Sequence, residues 1–185
     1  MDWVENTKRL IKWEGIEAEL LEHREWGKDS TVVSAFLKVP LKNVLKAIVC
    51  LSREGPLLAV ICGDDRLDLK KLGKLTDVSV RLGKAKELGE LGFRVGGVPA
   101  VGSGLRTFVD MRVLERSFVI GSAGSPYAGI RLKPHDLVCL NKATVADLSE
   151  QQGSKLTERF PKAYQRARYP DFPYQSLFSQ RVCGP

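Results

Sequence analysis

The chain alternates between stretches whose apolar residues recur every three to four positions and stretches that are apolar every second position or continuously, so the pattern predicts helices and strands in irregular succession. Asp2 stands ahead of an apolar stripe at Val4, Leu10, Ile11 and Trp13, and Gly15 follows it; this predicts a capped helix over 2–14. "IEAEL" (16–20) alternates apolar and acidic residues as a half-buried strand does. Ser30 is placed to cap a short helix over "TVVSAFLKV", which Pro40 stops. "VLKAIVCLS" and "PLLAVICG" are rich in β-branched residues and joined by "REG", which predicts a hairpin of central strands.

Further on, Asp68 opens a helix through Leu75, "DVSVRL" is a strand, and "KAKELGEL" is a helix with Gly92 just past its end. "LRTFVD" (105–110), "SFVIG" (117–121) and "YAGIRL" (127–132) read as three more strands. Pro134 sits in the first turn of a helix through Leu140. Hairpins interleaved irregularly with helices predict an α+β fold: a mixed, largely antiparallel β-sheet flanked by helices. Residues 1–153 form this domain. Residues 154–185 read as an extension, because from Lys155 to Arg181 six Lys or Arg face two acids, and the same span holds six of the chain's fourteen aromatics. That mixture suits single-stranded nucleic acid or packing against the domain, and the composition leaves both readings open.

With 185 residues, 43% of them hydrophobic, one sizeable core can be buried. No apolar run reaches the length of a membrane span, and the N-terminal "MDWVENTKRL" is too charged for a signal peptide, so the expectation is a cytoplasmic protein without a membrane partner. A net charge of +7 favours an anionic partner, of which nucleic acid is the commonest. The four cysteines form no C-x-x-C pair and the two histidines are far apart, so neither a metal nor another cofactor is expected. A turn at Arg53–Pro56 would set Cys50 opposite Ala59, so Cys50 and Cys62 read as small buried hydrophobes.

Two features carry candidate chemistry. Lys46 lies inside an apolar strand run, where lysine is rare; it is either a strand-end side chain reaching solvent or a cation fixed at the mouth of a pocket. "FRVGGVPAVG" (93–102) concentrates three glycines and a proline, which makes either a sharp turn or a backbone cradle. No nucleophile elbow, P-loop or H-E-x-x-H is present, and no Ser/His or Cys/His pair supports a covalent intermediate.

The order "VLKAIV", "CGDDRLDLKKL", "FRVGGVPAVG", "FVD" and "FVIGSAGS…RLKPHDLVCL" resembles the YbaK/prolyl-tRNA-synthetase-associated editing domain family over roughly residues 15–142. The resemblance implies a mixed sheet flanked by helices and hydrolysis of the ester bond of misacylated tRNA by a trans-acting enzyme. It implies that Lys46 is the lysine needed for deacylation. Gly96 and Gly97 match the start of the family's glycine loop, whose remainder here is Val98, Pro99 and Ala100, with Gly102 after it. Asp110 matches an aspartate opening the next turn, and Ser122, Ala123 and Gly124 match a small-residue loop at the pocket's edge. These eleven positions are the expected site: Lys46 catalytic, the rest substrate-binding.

The sequence departs from the family at Ala47, where threonine is usual, and at Ala100, where the loop commonly has proline. The chemistry expected there is attack by water on the ester, with main-chain N–H groups of the glycine loop facing the developing oxyanion. The expected partner is the acceptor end of tRNA, with a synthetase as a further partner. The competing expectation is a non-catalytic tRNA-binding or synthetase-docking accessory protein.

Overall fold

The computed structural model describes residues 2–22 and 29–150; the basic, aromatic extension lies outside the described residues. Among the described residues the order is α1 (Trp3–Glu14), β1 (Glu19–Glu22), α2 (Ser30–Leu37), β2 (Leu45–Ser52), β3 (Gly55–Cys62), α3 (Leu69–Thr76), β4 (Val80–Leu82), α4 (Ala85–Glu90), β5 (Arg106–Asp110), β6 (Val119–Ser125), β7 (Ala128–Leu132), α5 (Pro134–Asn141) and β8 (Thr144–Ala146).

The strands form two sheets. One is antiparallel, in the order β1-β7-β6; the other is mixed, in the order β4-β2-β3-β5-β8, with β3, β5 and β8 parallel. The central strand β3 is buried on both faces, as a near-continuous apolar run should be. Leu58 and Val60 point into the larger core, shared with Val49, Val109 and Ile130. Leu57, Ala59 and Ile61 point the other way, onto Leu72 of α3, Phe108 and Leu148. A parallel bridge between Val44 and Ile120 brings the two sheets together just before β2.

Several expectations shift in detail. The hairpin turn is Arg53–Glu54, because Ser52 pairs with Gly55; Cys50 therefore lies opposite Leu57, and Leu45 opposite Cys62. Both cysteines are buried and unbridged, and burial pushes their thiols up to about 11 and about 12. Asp29, one residue before Ser30, caps α2 by accepting from the Thr31 N–H at 2.8 Å. "GSAGS" is part of β6, which runs on through a bulge to pair Ser125 with Ala128. β1 lies at 19–22 rather than 16–20, and β8 was not signalled by its three residues.

Helix α1 begins as its sequence predicts, with the Asp2 carboxylate accepting from the Val4 and Glu5 N–H groups, and ends at Gly15 with φ +62°. It packs over β6: the buried Thr7 hydroxyl donates to the Ala123 carbonyl at 3.0 Å, and Trp3 stacks 5.0 Å from Phe93. That packing fixes the outer side of β6, whose inner edge borders the cavity described next.

Candidate active site

After the Val44–Ile120 bridge, β2 and β6 diverge, and a cavity of about 610 Å³ opens between their edges with the N-terminus of α2 across it. Such a volume suits a small organic group rather than a macromolecular segment. Its lining includes the consecutive residues Val44–Ile48 of one edge and Ile120–Ser122 of the other, with Asp29, Ser30 and Val33 from α2. Aliphatic side chains dominate, and among the described residues lining it Lys46 and Asp29 are the charged ones.

Lys46 projects from β2 toward the loop after β3, where its ammonium donates to the Asp65 main-chain carbonyl at 2.9 Å. An ammonium has three donors, so among the described residues two remain for a ligand. The Asp65 loop is held in turn: its carboxylate pairs with the Arg112 guanidinium at 3.0 Å, both side chains being largely buried. Burial pushes the Asp65 carboxyl up, and Arg112 opposes that rise. Asp29 is held below the usual carboxylate range, first by the Thr31 hydroxyl and then by the Thr31 N–H, with nearby Lys46 a smaller influence.

The glycine loop forms the third wall. Gly96, at φ +77°, and Val98 line the cavity. Gly97 sits behind them, where a Cβ would lie 2.9 Å from the Pro126 ring and 3.2 Å from the Ser125 main chain; glycine here permits close backbone approach. Pro99 and Ala100 are buried. The Ala100 N–H donates to the Ser122 carbonyl at 2.8 Å, and its carbonyl accepts from the Asn141 amide at 2.8 Å. Three of the loop's expected oxyanion donors are therefore occupied: Gly97 donates to Arg94, Ala100 to Ser122, and Gly102 to the Asn141 side chain.

Of the eleven expected residues, Lys46, Gly96, Val98 and Ser122 meet at the cavity. The Ser122 hydroxyl accepts from the Gly124 N–H at 3.1 Å and lies 3.3 Å from the Ser125 carbonyl, to which it donates. Gly97, Pro99 and Ala100 shape the loop behind this wall. Gly102, Ala123 and Gly124 face α1: Leu10 adjoins Gly102, Thr7 bonds Ala123, and a Cβ on Gly124 would meet Trp3. Asp110 is fully buried at the end of β5 and accepts from the Arg112 N–H, the Leu148 N–H and the Ser149 hydroxyl.

Asn141 and Asp29 were not anticipated; a polar residue at a helix terminus reads as a cap, and only the tertiary fold aims these two at the loop and the cavity. Cys62, Asp64 and Asp65 bring ligand atoms within 4.8 Å of one another. A cation there would compete with Arg112 for Asp65 and meet a thiol that burial keeps protonated. Among the described residues, no helix is long and apolar enough to cross a membrane.

Residues 24–140 match the model of the aminoacyl-tRNA editing domain. A proline–tRNA ligase of Thermosipho africanus is 32% identical over 99 residues, covering 51% of this chain but only 18% of the ligase. The chain thus spans under a fifth of that relative's length. An Enterococcus faecalis protein provisionally named Cys-tRNA(Pro)/Cys-tRNA(Cys) deacylase is 27% identical over 155 residues, covering 80% of this chain and 94% of that one. A crystal structure described as a proposed trans-editing enzyme for prolyl-tRNA synthetase superposes with a TM-score of 0.74 at 27% identity, covering 82% of this chain and 99% of that one. With more than half its length matched by the family model, the chain belongs to the aminoacyl-tRNA editing domain family.

Proposed function

We propose that this protein is a trans-acting aminoacyl-tRNA deacylase, which hydrolyses the ester of misacylated tRNA in the cavity between β2 and β6. The observation that carries this reading is Lys46: a cation on the wall of an otherwise largely aliphatic cavity, held by the Asp65 carbonyl with two donors to spare. A strand lysine at such a place suits an anionic or oxygen-rich group, and the terminal ribose and phosphate of tRNA supply both. Water adds to the ester carbonyl, and the tetrahedral oxyanion collapses with release of the ribose oxygen, which takes up the proton the water loses. The products are the free amino acid and uncharged tRNA. The net positive charge of the chain favours approach of the polyanion.

The test is a panel of aminoacyl-tRNAs, including Ala-tRNA(Pro) and Cys-tRNA(Pro), incubated with purified protein and assayed for ester loss above the spontaneous rate. Accelerated hydrolysis of at least one member is expected. Binding without acceleration across the panel would refute the reading.

A further inference from the structure

The cavity carries an unused strand edge. The Val49 carbonyl accepts from the Gly83 N–H at 2.9 Å, on the side of β2 away from β3. Main-chain groups alternate in direction along a strand, so the N–H and carbonyl of Ala47, two residues earlier, point the same way. Strand β4 does not reach them, since it pairs only with Cys50, Leu51 and Ser52. Among the described residues, neither the Ala47 N–H nor its carbonyl has a hydrogen-bond partner. Ala47 is among the residues lining the cavity, and these two groups lie on the side of β2 from which β6 diverges.

The glycine loop explains why the edge stays open. Carried one step beyond the Val44–Ile120 bridge, a parallel ladder would bond the Ala47 N–H to the Ser122 carbonyl. That carbonyl is instead taken by the Ala100 N–H. The intrusion is possible because position 121 is glycine: a Cβ there would collide with the Ala100 Cβ. The loop thus acts as a wedge that keeps β6 off β2.

We infer that the Ala47 edge binds the aminoacyl group of the substrate as a one-residue strand. An aminoacyl ester carries a donor nitrogen and an acceptor carbonyl flanking a single Cα, the same two groups that one strand residue exchanges with the residue opposite it in an antiparallel pair. The Ala47 carbonyl accepts from the α-ammonium, and the Ala47 N–H donates to the ester carbonyl oxygen. That second bond strengthens as water adds and negative charge grows on the oxygen, so Ala47 supplies an oxyanion donor through its main chain. The substrate class follows: esters of α-amino acids with the amino group free. The inference rests on the deacylase reading.

Two perturbations test it, both using the full chain and the panel member hydrolysed fastest. In the first, the α-amino group of the substrate is replaced by hydrogen, and each rate is divided by that ester's own spontaneous rate. The enzymatic acceleration should fall about 10- to 100-fold, since a hydrogen bond to a charged donor is lost. The second is Ala47→Pro, which removes an N–H that β3 does not use and is tolerated best at a strand edge. Its kcat should fall about 100-fold, with tRNA affinity and melting temperature close to wild type. Equal acceleration of the amino and desamino esters overturns the inference, as does a folded Ala47→Pro protein with wild-type kcat. If Ala47→Pro fails to fold, the substrate comparison decides. Absence of hydrolysis across the whole panel would instead refute the deacylase reading, and the inference would fall with it.

Discussion

Asp110 offers the sharpest separation of a structural role from a substrate-binding one. Its carboxylate is fully buried, and three donors converge on it: the Arg112 N–H at 2.9 Å on one oxygen, and the Leu148 N–H at 2.8 Å with the Ser149 hydroxyl at 2.9 Å on the other. The isosteric Asp110→Asn replaces two acceptor oxygens by one oxygen and one NH2. Whichever way the amide turns, its NH2 confronts a main-chain N–H, that of Arg112 or that of Leu148. One unsatisfied donor costs about 1–3 kcal/mol, and the remaining bonds lose their charge assistance, each worth roughly 1 kcal/mol more than a neutral bond. The sum is about 2–4 kcal/mol. For a domain of this size that corresponds to a fall in melting temperature of roughly 5–15 °C. Thermal unfolding by circular dichroism measures it directly. A folded Asp110→Asn protein that melts within about 2 °C of wild type yet no longer deacylates would refute this reasoning and return Asp110 to the substrate.

Three further outcomes follow from the same geometry. Lys46→Ala should lower kcat by about 10²–10³ with melting unchanged, since a half-exposed strand side chain is lost and a positioned cation with it; near-normal turnover in the folded variant would remove Lys46 from the mechanism. Gly97→Val should lower activity and melting temperature together, because its Cβ meets Pro126 and the Ser125 main chain at about 3 Å and the facing turn must shift; an unchanged melting curve would show that the turn yields freely. Glu87 is held down at about 2, first by the Arg81 guanidinium and then by the Lys84 N–H, so its stabilising effect is complete above its ordinary value of 4.5 and is lost as pH falls from there toward 2. Glu87→Gln should therefore flatten the acid limb of stability against pH, and an unchanged limb in urea titrations from pH 5 to pH 2.5 would contradict that.

Much of the scaffold was legible because local rules and tertiary packing agree. Asp2 and Gly15 bound α1 as caps do, and the β2–β3 hairpin stands out by its β-branched runs. Lys46 was legible for the opposite reason, being a charge where the pattern calls for an apolar residue. What the pattern could not supply is pairing at a distance. Nothing in "TVA" announces β8, whose place is set by the ladder with β5, and nothing in the order of strands divides them into two sheets joined at Val44–Ile120. The resemblance placed Asp110 and Gly124 with the site on sequence order, whereas the fold puts one beneath residues 148–149 and the other under Trp3. Residues adjacent in a motif need not share a face.

The two departures from the family pattern, Ala47 and Ala100, take on a different meaning once main-chain groups are traced. The Ala47 side chain packs on the larger core, so the cavity meets this residue chiefly along its strand edge; a side-chain hydroxyl is not required for position 47 to offer a donor and an acceptor. Ala100 has an N–H that a proline would lack, and spends it on the Ser122 carbonyl, tying the loop to β6. Asn141 bonds the carbonyls of Ala100 and Leu137 and accepts from the Gly102 N–H, so the loop is fastened to α5 as well. Stiffness that a second proline would give through restricted φ is here given by hydrogen bonds at both ends of the loop. The cavity is thus held open by main-chain bonding on β6 and by Asn141 behind it, leaving the opposite edge, at Ala47, free for a ligand.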